Sequence, residues 1–163
     1  MQALPAIHRL NSKNWKQFRT IRLQALEDSP DAFGSTLEKE RQYSDDIWIN
    51  RLSRTDVATF VATAEEGSDV GLVTAAPYDQ FLGLYSMWVS PQARKSGVGG
   101  ALVDELIQWA TQQNHTRILL DVADQNTAAI AFYDSRGFKP TGVVGTLPSP
   151  REHITEHQRE LLL

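Results

Sequence analysis

Apolar positions along the chain follow two rhythms, one helical and one strand-like, and their alternation predicts the fold. "PAIHRLN" alternates well enough for a short first strand. In "SKNWKQFRTIRLQALEDSP", Trp15, Phe18, Ile21 and Ala25 recur at helical spacing and share one face, and Pro30 limits the helix. "SDDIWINRLSRT" predicts a second short helix. Ser44 is placed as its N-cap, with Asp45 and Asp46 in the positive first turn. The charge run "EKER" before it has the look of a solvated helix face.

After that the period shortens. "VATFVATA" and "VGLVTAAPY" are β-rich runs separated by the turn-like "EEGSD", and "FLGLYSMWVS" is a third strand. From about Gly97 to Gln112 the period is helical again, with Val98, Ala101, Leu102, Leu106 and Trp109 on one face. "TRILLDVA" is compact and apolar, as in a strand buried on both faces. "NTAAIAFYDSRG" predicts a helix with Asn126 as N-cap and Gly137 just past its end. "FKPTGVVGTL" and "REHITEHQRELLL" supply two last strands. The order implies an α/β sandwich with a mixed sheet, and no linker divides residues 1–163 into separate domains.

Bulk properties narrow the function. The 163 residues suit one domain with a real core, at 41% hydrophobic and 22% charged content. With no cysteine, disulfides and thiolate metal sites are excluded. A formal net charge of -4 argues against general nucleic-acid binding. "MQALPAIHRLN" does not read as a signal peptide, and no run reaches the roughly 18 apolar residues of a membrane span. The expectation is a cytoplasmic monomer or homodimer with no membrane or nucleic-acid partner. His153 and His157 stand four apart without an obvious third ligand, so no metal site is expected.

The chemistry concentrates in "RKSGVGGAL". Backbone N–H groups at a helix start lack intrahelical partners, and the helix dipole adds about half a positive charge there. Glycines let a ligand approach the backbone, and Arg94 and Lys95 add cationic charge. A phosphate or pyrophosphate is the natural guest. No Gly-Lys pair exists for a P-loop. Gly97 and Gly99 begin a dinucleotide fingerprint and Asp121 lies where its ribose-binding acid would sit, but Leu102 occupies the third glycine position and "PQARKS" intervenes after the strand.

Arg94-Lys95-Ser96-Gly97-Val98-Gly99 fits Arg/Gln-x-x-Gly-x-Gly/Ala throughout, and here the chain resembles the GNAT superfamily of N-acetyltransferases. "YSMWVSPQARKSGVGGALVDELIQWA" is similar to that family's fourth strand, pyrophosphate loop and third helix. "LLDVADQNTAAIAFYDSRGFKPTG" is similar to its fifth strand and fourth helix. "LQALEDSPDAFGST" is similar to the first-helix exit of one bacterial branch.

The resemblance implies a mixed, mostly antiparallel sheet with splayed central strands, flanked by helices on both faces. It implies acetyl-CoA as the acetyl donor, bound by Met87, Trp88, Val89, Arg94, Lys95, Ser96, Gly97, Val98, Gly99, Gly100, Asn126 and Phe132. Amides from about Arg94 to Gly99 would hold the pyrophosphate, and the Met87–Val89 backbone would pair with the pantetheine arm. A backbone N–H near Met87 or Trp88 would stabilise an oxyanion. Tyr133 matches the tyrosine that protonates the leaving thiolate in many members. The strand glutamate that serves some members as base is missing, because counting eleven back from Arg94 gives Gly83. Glu38, Glu40, Asp79, His153 or a water chain are the alternatives.

The implied activity is acetyl transfer to a primary amine of a small molecule. Acetylation of a protein N-terminus or lysine, and a non-catalytic acyl-CoA sensor, are the other readings.

Overall fold

The computed structural model describes residues 5–163; Met1 to Leu4, at the start of the stretch read for a signal peptide, lie outside them. Seven strands form one sheet in the order β1-β2-β3-β4-β5-β7-β6. They are β1 (Ala6–Arg9), β2 (Ala58–Thr63), β3 (Asp69–Tyr78), β4 (Phe81–Val89), β5 (Arg117–Ala123), β6 (Lys139–Thr146) and β7 (Thr155–Leu162). Helices α1 (Trp15–Asp28), α2 (Leu37–Arg41) and α3 (Asp45–Ser53) precede β2. Helix α4 (Val98–Gln112) joins β4 to β5, and α5 (Thr127–Ser135) joins β5 to β6. Every pairing is antiparallel except β4 with β5.

Strand alternation sends the two sheet faces to different helices. On β2, Phe60 and Ala62 pack with Val98, Leu102 and Leu106 of α4, while Val61 packs with Phe18, Ile21 and Trp48 of α1 and α3. On β5, Ile118, Leu120 and Val122 join the α4 side. Leu102 and Leu106 are fully buried, and truncating either to alanine costs about 2–5 kcal/mol.

Sequence and structure part in a few places. Ser44 has the extended backbone of an N-cap, but its side chain makes no capping hydrogen bond. Asn126 does cap α5, accepting from the Ala129 N–H at 3.2 Å. "EKER" lies in α2 with Glu38, Lys39 and Arg41 exposed as expected, but Glu40 is completely buried. Within "TRILLDVA", Ile118 to Ala123 are buried on both sides except at Asp121, which is exposed; Thr116 is exposed and Arg117 half-buried.

Two irregularities of β4 position the site. Opposite β3, Leu72 faces Trp88 and Thr74 faces Tyr85, so Ser86 and Met87 together oppose Val73. This bulge holds Ser86 at φ 59, in the left-handed region. Opposite β5, pairing stops after Leu82–Ile118 and Gly83–Leu119. Beyond that point β4 keeps β3 and β5 keeps β7, and the two central strands diverge.

Candidate functional site

The divergence opens a cleft of about 1210 Å³. Leu84–Val89 of β4 and Leu120–Ala123 of β5 form its facing edges. On the α4 side it runs between the start of α4 and α5; on the α1 side it reaches the α1–α2 loop, Thr146, Pro148 and Glu156.

At the start of α4, the first backbone bond runs from the Ala101 N–H to the Gly97 carbonyl at 3.0 Å. The Arg94 N–H donates to Pro91. Among the described residues, the six amides from Lys95 to Gly100 donate to no protein acceptor. The free run therefore begins one residue later than the sequence suggests and extends through Gly100. Gly97 sits at φ 91, which a side chain would strain. At Gly100 the reason for glycine is space: a Cβ would lie 2.3 Å from Nη2 of Arg136. Arg136 stacks over Phe132 at 5.8 Å, and its Nη2 lies 3.2 Å from Asp104. Its Nε is buried and has no hydrogen-bond partner among the described residues. Such a cluster of donors without acceptors suits an anionic ligand carrying phosphates.

The sequence-predicted cations separate. Lys95 is exposed beside the loop at φ 62. Arg94 turns away from the amides, donating from Nε to the Val89 carbonyl at 2.9 Å and from Nη2 to Asp28 at 2.6 Å. Asp28 also accepts from the Trp88 indole at 2.9 Å; that bond first, and then those from Ser29 and Arg94, holds its carboxyl below its usual value. Ser96 bonds back to the Ala93 carbonyl. Met87 lies on the α4 side, with its methyl 3.1 Å from where a Cβ of Gly99 would be. Val98 is buried in the α4 core, and Asn126, Phe132 and Tyr133 line the cleft. Burial raises the Tyr133 hydroxyl well above the ordinary tyrosine value, and among the described residues no protein group bonds to it.

On the α1 side the cleft ends in groups that sequence reasoning missed or dismissed. Asp121 projects from β5 and accepts from the Tyr78 hydroxyl, 3.0 Å from each carboxylate oxygen. Gln158 donates to the same hydroxyl at 2.9 Å. Although Asp121 opens to the cleft, the protein crowded around it pushes its carboxyl up, and the Tyr78 bond only partly offsets this. Glu156, on the same face of β7, is pushed up by burial and then by the charge of Asp121, against a smaller effect of Arg151. Arg151 ties the two loops over this end together, donating to the Pro30 carbonyl at 2.8 Å and pairing with Asp31 at 3.6 Å. The sign of Asp121 in the sequence was a single charge in the apolar run Ile118–Ala123.

The other base candidates lie elsewhere. Glu40 is clasped by Nε and Nη2 of Arg22 at 3.0 and 2.9 Å and by Arg51 at 2.9 Å. Burial alone would raise its carboxyl, but the arginines overcome this and hold it at about 2. Glu38, Asp79 and His153 are exposed and do not line the cleft. His157 pairs with Asp124 at 2.6 Å. Gly83 lies under the Tyr85 ring, and a Cβ there would sit 2.5 Å from it. Tyr85 thus fills the space a longer residue at 83 would use.

The profile of the family described as "Acetyltransferase (GNAT) family" matches residues 15–138. Human N-acetyltransferase 8 is 35% identical over 103 residues, 60% of this chain and 45% of that protein. The chain spans about half the length of the curated relatives it matches. Among solved structures, a ribosomal-protein-alanine N-acetyltransferase from Brucella melitensis superposes with a TM-score of 0.76 at 23% identity, covering 97% of this chain and 99% of that one. The spermidine N-acetyltransferase of Vibrio cholerae, in complex with CoA and spermine, superposes with a TM-score of 0.76 at 15% identity, covering 96% and 94%.

Proposed function

The chain belongs to the GNAT acetyltransferase family, and from that footing we propose that it moves the acetyl group of acetyl-CoA to a primary amine of a small molecule, by direct attack in a ternary complex. The observation that carries this reading is the parting of β4 from β5 beyond Gly83 and Leu119. It joins unpaired amides on one side of the sheet to carboxylates on the other through a single cleft. A spermidine-acetylating structural neighbour adds support for a small amine.

In this reading the amides of Lys95–Gly100 and the Arg136 guanidinium hold the pyrophosphate. Arg94 keeps the loop in shape from behind, through Asp28 and the Val89 carbonyl. The backbone of Met87–Val89 aligns the pantetheine arm, with Met87, Phe132 and Asn126 as walls. The pocket then supplies proximity, which replaces an encounter in solution.

Asp121, steadied by Tyr78, takes a proton from the incoming ammonium, and Glu156 and Asp31 favour the approach of that cation. The freed amine forms a C–N bond to the acetyl carbon while the C–S bond breaks. A backbone N–H near Met87 or Trp88, on the edge of β4 that has parted from β5, faces the charge developing on the carbonyl oxygen. Tyr133 delivers its proton to the departing sulfur and recovers one from the nitrogen, which sheds its second proton as the neutral amide forms; the raised pKa of Tyr133 keeps its proton in place at neutral pH until then.

A panel of primary amines with acetyl-CoA, followed by free-thiol release and mass of the product, tests the reading. Thiol release that depends on an amine, with product mass increased by one acetyl group, is the expected result. Release that is the same with and without amine would reject it.

A further inference from the structure

A second cavity of about 600 Å³ lies on the α1 face of the sheet. It meets the main cleft at Arg22, Tyr85 and Ser86, which line both. Phe18, Ile47, Val57 and Pro77 give it apolar walls. Its charge is opposite to that of the neighbouring cleft end. Arg22 and Arg51 share the single carboxylate of Glu40, so one positive charge is left over. Arg22 is buried and engages all three of its nitrogens: Nε and Nη2 hold Glu40, and Nη1 donates to Ser86 at 2.8 Å. Arg54 is paired with Asp56 at 2.8 Å. The surplus therefore sits on Arg51, whose side chain is 33% exposed and which commits only Nη1. Its guanidinium carbon lies over Tyr43 and Trp48, 5.0 and 5.2 Å from the ring centres, and these contacts with the bond to Glu40 restrain it. Asn50 stands beside it on α3.

Across the same face runs a polar gradient. Tyr85 and Tyr78 stack with centroids 6.1 Å apart, and Tyr78 bonds Asp121. The aromatic pair is a bridge with a cation pocket at one end and the Asp121–Glu156 carboxylates at the other. A diamine would place its second cation beside Arg51. A neutral monoamine would leave that guanidinium without a partner. A molecule with a positive and a negative end satisfies both.

We propose that the acceptor is an amphoteric amine, a primary amine and a carboxylate on one apolar frame, with its carboxylate received by Arg51 and Asn50 and its amine delivered to Asp121. Because the stacked Tyr78–Tyr85 pair, with ring centres 6.1 Å apart, stands between the two ends, the amine and the carboxylate must be set several bonds apart, and ω-amino acids with a polymethylene chain are the simplest members of this class. The inference rests on the acetyl-transfer reading and narrows its substrate.

The test uses the full chain with acetyl-CoA and matched acceptors: 6-aminohexanoate against 6-aminohexanamide, 8-aminooctanoate against 8-aminooctanamide, and spermidine. Each amide has the less basic amine, so intrinsic reactivity near neutrality favours the amide. The expected result is the reverse, with kcat/KM for the acid exceeding that for the amide by about 10- to 100-fold, as a charge-assisted hydrogen bond supplies. Arg51→Met should abolish that preference. Because Arg51 also touches buried Glu40, a second variant guards against misfolding. Asn50→Asp, at an exposed position, puts a negative charge at the pocket mouth and should lower the acid-to-amide ratio at least about tenfold without a change in the thermal midpoint. Amides or spermidine equalling or exceeding the acids would overturn the inference and leave acetyl transfer standing. An unchanged ratio in Asn50→Asp would overturn the assignment of the pocket. No thiol release with any acceptor would overturn both.

Discussion

Two carboxylates on the α1 side of the sheet meet opposite fates. Glu40 is completely buried, yet it is held ionised at about 2 because two arginines surround it. Asp121 opens to the cleft, yet its pKa is raised, because the protein crowded around it penalises the charge and the bond from its neutral tyrosine partner offsets only part of that. Burial penalises charge at both; the partner decides the outcome. A carboxylate saturated by cations cannot exchange a proton near neutrality and serves as a fixed anchor. A carboxylate supported only by a hydroxyl keeps its proton affinity and can work as a base.

The most severe way to break this contrast is to remove the anchor. Glu40→Ala leaves Arg22 buried without its counter-charge, and losing one partner of a buried pair costs about 3–5 kcal/mol. Chemical denaturation should show that loss. A loss below about 1 kcal/mol, the range of surface pairs, would remove Glu40 from its structural role. Asp121→Asn should do the opposite. Asparagine keeps an acceptor for Tyr78, so the denaturation midpoint should stay close to wild type. The turnover number should fall about 100-fold or more at neutral pH, with acetyl-CoA affinity retained. A variant that turns over normally would take the base role away from Asp121.

Tyr133 sharpens the contrast from the α4 side of the cleft. Burial holds its hydroxyl protonated and, among the described residues, no protein group bonds it, so its proton is free to leave only when a strong base forms beside it. Tyr133→Phe keeps the ring contacts with Phe132 and Phe138. The turnover number should drop about 100-fold, and less with an acyl donor whose leaving thiol is more acidic. An equal drop for both donors would assign the hydroxyl to positioning rather than proton transfer.

Local features were legible in the sequence; partners distant in the chain were not. The helix and strand periods, the Asn126 cap and the loop Lys95–Gly100 depend on neighbours within a few positions, and the structure places them close to where the sequence does. The splay was legible only through the family resemblance, since nothing local in β4 dictates its distance from β5. Glu40 sat in a charge run that reads as solvated; its burial depends on arginines 18 and 11 residues away. The candidate role of Asp121 depends on a contact with Tyr78 that forms only when the β3–β4 hairpin meets β5, and that of Tyr85 on stacking with Tyr78 once the hairpin has closed. The lone charge in "ILLDVA" was the available sign.

The smallest expected effect is also the one that compares the two carboxylates within one measurement. Glu40 has a folded pKa of about 2 against an ordinary 4.5. It contributes stability that is complete above 4.5 and is lost as pH falls from there through about 2. Asp121 has the reverse sign, because the fold raises its pKa above the ordinary 3.8. As pH falls through that raised value, the folded state takes up the proton first and gains stability, until the unfolded chain is protonated as well. Glu156 adds in the same direction, and part of its upward shift comes from Asp121 itself. Asp121→Asn removes the first contribution and reduces the second. The stability of wild type minus that of Asp121→Asn, from urea denaturation at a series of pH values between neutrality and about pH 3, should therefore rise as pH falls, while both proteins lose stability together in the Glu40 range. A flat difference would mean that Asp121 has the same proton affinity folded and unfolded, and the hydroxyl-supported carboxylate would then be no better poised for proton transfer than an aspartate in water.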